Sequence, residues 1–141
     1  GSMQCSQACY TRGEPLPVKH KDIRQLAEAE IPYVAEHYHL GDETYVRERI
    51  GAGAVFGSYM DGKLCGFIGS HDDGSMGMLY VEDAYRRQGL AASLEGYLIN
   101  RQREQGYVPY AHIVAGNEAS VQLQERLGLN LSEPVIWWLY R

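Results

Sequence analysis

The sequence predicts a single mixed α/β domain, and three observations carry that prediction. The chain has 141 residues, enough for one domain with a real core and too few for two. Two apolar-rich runs, Ala54 to Met60 and Lys63 to Ser70, flank Asp61-Gly62, a strong signal for a two-residue β-hairpin turn. A third apolar run, Met76 to Val81, passes through Glu82 and Asp83 into the turn Arg86-Arg87-Gln88-Gly89. It then enters a helical pattern at once, with Leu90, Leu94, Tyr97 and Leu98 on one face.

The elements follow in order. From Gln4 to Val18 the pattern is thin; Pro15 and Pro17 rule out a regular helix and leave an edge strand or arm. Asp22 to Glu30 reads as a helix with Ile23, Leu26 and Ala27 inward. Pro32 suits a first helical position and opens a second helix running to about Leu40. Asp42 offers the N-cap of a third, carrying Tyr45, Val46 and Ile50 and ending at Gly51. After the hairpin, His71-Asp72-Asp73-Gly74 turns the chain into Ser75–Val81, so three antiparallel strands lead to the glycine turn. The helix beyond it runs to about Gln105, and Tyr110 to Val114 is a further strand. Asn117 caps a last helix lined by Ala119, Leu123 and Leu127, with Gly128 just past its end. Val135 to Tyr140 is apolar on both faces, which predicts a strand buried between layers or against another subunit. Gly1-Ser2 ahead of Met3 reads as a vector-derived remnant, leaving 4–141 as the domain.

Composition narrows the function classes. With 45% hydrophobic residues and no repeat or low-complexity tract, the chain is ordinary for a globular protein. A net charge of −5 argues against a nucleic-acid partner and mildly favours a cationic or neutral small one. Three scattered cysteines without metal spacing, and no signal peptide, point to a reducing cytoplasm. No run is long enough to span a membrane, so no membrane role is expected. No metal is expected either: His37 and His39 are two apart and cannot face one ion from a helix. Three adjacent residues such as His71-Asp72-Asp73 rarely converge on one.

A strand, a glycine turn and a helix start in that order make an anion site. The first N–H groups of a helix have no internal partner, and the helix dipole adds partial positive charge there. Gly89 removes a Cβ that would keep a phosphate from the backbone, and the arginines add charge. No Gly-Lys-Ser/Thr triplet makes it a P-loop, and two of the three glycines of a dinucleotide fingerprint are missing. The turn does resemble the pyrophosphate motif Gln/Arg-x-x-Gly-x-Gly/Ala of the GNAT superfamily of N-acetyltransferases, with Arg86, Gly89 and Ala91 in its three defined places. Asn117 and Ser120 match that superfamily's Asn-x-x-Ala/Ser helix start, and Gly128-Leu129 replaces its usual Gly-Phe. The wording GSMGML, YRRQGL, GNEAS and LQERLGL looks most like the branch containing the glycine N-acyltransferase-like proteins.

The resemblance implies a mixed, mostly antiparallel twisted sheet with helices on both faces, splayed between strands 75–81 and 110–114. It implies acetyl-CoA as co-substrate, its pantetheine arm lying along Ser75–Val81 like an added strand and held by backbone near Leu79 to Val81. Arg86, Arg87, Gln88, Gly89, Leu90, Ala91 and Ala92 would hold the pyrophosphate, with Asn117 and Ser120 near the thiol end. An amine would attack directly in a ternary complex. The acid and base depart from the family pattern. Its leaving-group tyrosine, seven residues after the asparagine, is Gln124 here, and its early glutamate, eleven residues before Arg86, is Ser75. His71, ending the strand paired with the start of Ser75–Val81, is the first substitute base, against the competing reading of a polar loop histidine. Tyr80 and Tyr85 are candidate acids, though a strand tyrosine also suits packing. Two other classes stay open: a silent acetyl-CoA sensor, and an interaction domain or homodimer built on Ile136-Trp137-Trp138-Leu139. Small amines, amino acids, peptide N-termini and lysines are all compatible acceptors.

Overall fold

The computed structural model describes residues 2–39, 41–114, 116–132 and 136–139. In chain order the elements are β1 Ser2–Cys9, β2 Ile23–Gln25, α1 Ile31–His37, α2 Glu43–Gly51, β3 Val55–Met60, β4 Lys63–Ser70 and β5 Met76–Val81. There follow α3 Leu90–Glu104, β6 Tyr110–Val114, α4 Glu118–Leu127, β7 Asn130–Leu131 and β8 Ile136–Leu139. The strands form one sheet in the order β2-β3-β4-β5-β6-β1-β7, with β8 also pairing β1. Every pair is antiparallel except β5 with β6, so the sheet is mixed and mostly antiparallel, as expected.

Helices cover both faces because the strands alternate. Val55 and Phe67 pack with Val34, Val46 and Ile50 of α1 and α2, while their neighbours Phe56 and Ile68 pack with Leu90, Leu94, Leu98 and Ile99 of α3. Phe67 and Leu94 are wholly buried, and burying such a side chain contributes about 1.5–3 kcal/mol.

The feature that positions the site is a bulge in β5. Phe67 pairs Tyr80 and Gly69 pairs Gly77, so Met78 and Leu79 stand together opposite the single residue Ile68. Met78 takes the left-handed conformation, φ 52°, to make room for the extra residue. The phase of the strand shifts accordingly. Met76 and Val81 join the α3 side of the core, whereas Met78 joins the α1–α2 side. A bulge increases local twist, and β5 pairs with β6 only at Met76 with Ala111. Among the described residues no ladder pairing joins the two strands beyond that point, so the sheet splays there as expected.

Some expectations need correction. The predicted helix over Asp22–Glu30 is a short strand followed by one tight turn, Glu28–Glu30. The open edge of β3 offers backbone partners along Ile23–Gln25, and Leu26 N–H continues that pairing to the Val55 carbonyl at 2.9 Å. Nor is the N-terminal strand an edge: β6 flanks β1 on one side, β7 and β8 on the other. The two prolines lie beyond it, in the loop that follows. Ser2, set aside as a remnant, pairs with Leu139. The second helix starts at Ile31 with Pro32 in its first turn and ends at His37. Leu40, the strand ends Val135 and Tyr140, and the side-chain burial of the last strand lie outside the described residues.

Candidate functional site

The end of β5 and the start of α3 build the cradle. After Val81 the chain makes one tight turn, Asp83–Tyr85, and Arg86 is then tied back: its Nε donates to the Val81 carbonyl at 3.1 Å, and its guanidinium pairs with Asp83 at 2.8 Å. Arg87 and Gly89 both adopt left-handed backbone, φ 64° and 84°. Gly89 caps α3 without lending it a side-chain acceptor, so no side-chain cap bond is made at the helix start. Only the Lys19 side chain, at 3.8 Å, lies near where a Cβ on Gly89 would be, so the observed demand for glycine is its backbone conformation rather than close approach.

Arg86, Arg87, Gly89, Leu90, Ala91 and Ala92 line a cavity of about 380 Å³, which α4 walls with Leu123 and Arg126. Arg86 spends its charge on an exposed pair with Asp83, a contact that stabilises little. Among the described residues, neither Arg87 nor Arg126 forms an ion pair. Two uncompensated guanidiniums beside a free helix N-terminus favour a multiply charged anion. Gln88 is the exception in the predicted cradle. Its Nε2 donates to Ala84 O at 3.3 Å and its carbonyl contacts His20 Nε2 at 2.6 Å, which braces the turn from outside. Arg126 was missed by sequence reading because nothing near it in the chain signals an anion; α4 brings it in.

Val81 also lines the cavity and so joins it to the splay. Along Met78–Val81, the edge of β5 toward β6 carries no ladder partner among the described residues. Leu79, on that stretch, is 39% exposed. Asn117 caps α4 as predicted, its side-chain oxygen accepting from Ser120 N–H at 3.2 Å. Neither Asn117 nor Ser120 lines the cradle cavity.

At the other end of β5 the polar groups are already engaged with one another. His71 N–H donates to Ser75 O at 2.8 Å, which sets residue 71 opposite the strand start as expected. The half-buried ring holds Nδ1 at 2.5 Å from the Tyr45 hydroxyl and lies over Gly77, where any Cβ would overlap it. Burial pushes its pKa below the usual 6.5, with Arg49 adding to the effect and Asp73 opposing it. Ser75 is buried, and its N–H and Oγ both donate to one Asp73 oxygen, at 2.8 and 2.6 Å. Burial pushes the Asp73 carboxyl up, but the Ser75 hydrogen bonds and the nearby His112 and His71 outweigh it and hold it below its ordinary value. A second cavity, about 430 Å³, is lined by His71, Asp72, Asp73, Gln102, Tyr107 and Tyr110. Tyr80 stacks on His37 at 4.3 Å and packs against Phe67. Burial, then Glu82 and Asp83, raise its pKa, so it stays a phenol near neutrality. Gln124 is buried against Glu95 of α3. Among the described residues, no cluster of three or more His, Cys, Asp or Glu could hold a metal ion, and no helix is long and apolar enough to cross a membrane.

Comparison with known proteins gives the architecture a family. No curated protein matches the sequence significantly. Among solved structures, a Drosophila protein superposes with a TM-score of 0.78 at 23% identity, over 94% of this chain and 48% of that one. An acetyltransferase of the GNAT family from Colwellia psychrerythraea gives 0.73 at 16% identity, over 94% and 54%. AAC(6')-Iy, in complex with the bisubstrate analogue CoA-S-monomethyl-acetylneamine, gives 0.69 at 18% identity, over 85% and 97%. The chain therefore spans about half the length of the first two, and identities this low show a common fold alone. Residues 53–138, however, match the FR47-like protein family, a stretch taking in the bulged strand, the cradle, α3 and α4. That match covers more than half of the chain, on a fold shared with GNAT acetyltransferases, and so the chain belongs to the FR47-like protein family.

Proposed function

We propose that this protein is an N-acyltransferase that moves an acetyl group from acetyl-CoA to a primary amine by direct attack in a ternary complex. The observation that carries the reading is the cradle cavity, where the open start of α3 meets Arg87 and Arg126 without competing carboxylates. That donor set fits a pyrophosphate: two fixed cations and free backbone N–H groups against a ligand of several negative oxygens. Arg86, Arg87 and Gly89 to Ala92 hold it, joined by Arg126, with Gln88 a brace behind them. Bound there, acetyl-CoA supplies an activated acyl group as its thioester. The open edge at Leu79 to Val81 orients the arm, and its N–H groups are the donors available to developing negative charge, a contribution of roughly 3 kcal/mol per donor in such sites. Asn117, whose Nδ2 makes no hydrogen bond among the described residues, steadies the arm from the start of α4, with Ser120 as its cap partner.

His71 takes the amine's proton. Its lowered pKa keeps the ring neutral, and the tautomer required is the one in which Nδ1–H donates to the Tyr45 oxygen, with Nε2 beside Gly77. Tyr80 is the phenol on the same face of β5. The acceptor is a primary amine, and the fold shared with a protein bound to a CoA-linked amine analogue supports an amine acceptor. The local wording further supports the branch of glycine N-acyltransferase-like proteins. One observation favours a second reading, a silent acetyl-CoA sensor: Ser75 and Gln124 are both engaged inside the fold, with Asp73 and Glu95.

Calorimetry with acetyl-CoA, followed by an amine panel with a free-thiol readout, tests both. Binding with amine-dependent thiol release supports the transferase; binding without release from any amine leaves the sensor; no binding removes both.

A further inference from the structure

Glu95 lies on α3 one turn beyond Ala91, and it is 3% exposed. Gln124 of α4 is 2% exposed and donates from Nε2 to Glu95 Oε1 at 2.8 Å. The remaining oxygen of each side chain, Glu95 Oε2 and Gln124 Oε1, is buried with no hydrogen-bond partner among the described residues. Among the described residues no cation pairs with the carboxyl there. An ionised carboxylate so placed faces a heavy desolvation cost, and two acceptors without a donor add to it. One proton removes both problems. On Oε2 it is the missing donor, and Gln124 Oε1 is the missing acceptor. The carboxylic acid and the primary amide then form a cyclic pair with two hydrogen bonds, N–H to Oε1 of Glu95 and O–H to Oε1 of Gln124.

We propose that Glu95 is held as the neutral acid in a two-bond pair with Gln124, and that this pair braces α4 against α3 so that Arg126 and Leu123 stand at the wall of the cradle. Glu95 is thus a positioning residue for anion binding, a role that rests on reading the cradle as the cofactor's phosphate site. Burial pushes the carboxyl up to about 7, the Gln124 hydrogen bond pulling the other way, and among the described residues no charged or titratable side chain acts on it. Raising the pH therefore removes the bridging proton. It leaves a buried charge at the α3–α4 contact and loosens the helix that carries Arg126.

Two readouts on the full chain test the pair. In the infrared, wild type at pH 6 is expected to show a protonated-carboxyl C=O stretch that disappears by pH 9 and is missing from Glu95→Gln. Calorimetry with CoA from pH 6 to pH 9 is the second, because Glu95→Gln keeps an amide able to pair with Gln124 but cannot titrate. Ionisation of CoA itself is common to both proteins. Wild type is expected to lose affinity relative to Glu95→Gln by about tenfold across the range, the scale of a lost buried hydrogen bond. Absence of the stretch at pH 6 overturns the neutral acid, and wild type alone decides that point if the variant does not fold. Parallel affinity profiles for the two proteins overturn the positioning role. A folded protein that binds no CoA at any pH sinks the proposed function instead, while the infrared band still judges the pair.

Discussion

The two ends of β5 are built on opposite plans. At its C-terminal end the chain leaves binding capacity unspent: Arg87 and Arg126 pair with nothing described, and α3 begins without a side-chain cap. At its N-terminal end nearly everything polar is committed, Ser75 to Asp73, His71 to Tyr45, and His112 to within 3.7 Å of Asp73. A site that grips a charged ligand by backbone and cations can stand ready in advance. Groups that move a proton must instead be held by neighbours that set their tautomer and pKa. Mutations at the two ends should therefore separate binding from turnover.

The largest effect is expected at the cradle. Gly89→Asp should abolish acetyl-CoA binding, because a carboxylate there repels the pyrophosphate and occupies the anion site itself, and φ 84° is strained for any side chain. Calorimetry on protein whose circular dichroism is unchanged checks it, and retained affinity would mean the cradle is misplaced. Next comes His71→Ala, expected to lower kcat by ~10²–10⁴-fold with the acetyl-CoA dissociation constant nearly unchanged. The sign of the pH dependence follows from the burial that lowers its pKa. Wild-type turnover rises with pH as the imidazole loses its proton, and the midpoint lies below 6.5. That limb should vanish in the variant; full kcat with an unshifted profile removes the base. A milder test stays within the cradle. Arg87→Ala and Arg126→Ala should each weaken binding by about 1–2 kcal/mol, and Arg86→Ala by less, because Arg86 already serves Asp83 and Val81. A larger loss at Arg86 would break the contrast between spent and unspent charge. The smallest effect is at Asn117→Ala, which should cost about 1 kcal/mol of stability in chemical denaturation through the lost cap. If affinity is also unchanged, Asn117 leaves the site.

The legible parts of this protein are those whose cause is local. Asp61-Gly62 makes its turn with both residues at positive φ, 52° and 80°, which Asp-Gly takes readily. The Arg86–Ala91 turn and the Asn117 cap likewise need only their own few residues. What stayed hidden depends on partners far along the chain. Ile23 to Gln25 became strand because β3 had an edge to fill. Arg126 reaches the cradle only because α4 packs there, and Gln88 lies outside it, its backbone carbonyl meeting His20 and its side chain Ala84. Gln124, read as an amide standing where the family has a tyrosine, has a partner twenty-nine residues away. The Met78 bulge puts a non-glycine residue at positive φ, and Gly77 beside it was its one local hint.

That bulge also bears on where the sheet leaves strand edge unpaired. Unpaired strand edges recruit other chains, and sheets guard them by keeping rim strands short. Here β2 has three residues, β7 two and β8, which shares the far rim with β7, four. The unpaired edge at Met78–Val81 is instead placed inside the sheet, in a fork closed at Met76 and Ala111. A second polypeptide would have to thread its side chains between two strands of the same molecule, whereas a slender unbranched chain need not. Deleting Met78 would straighten β5 and favour pairing with β6 along its length, trading a groove for a continuous and more self-adhesive sheet.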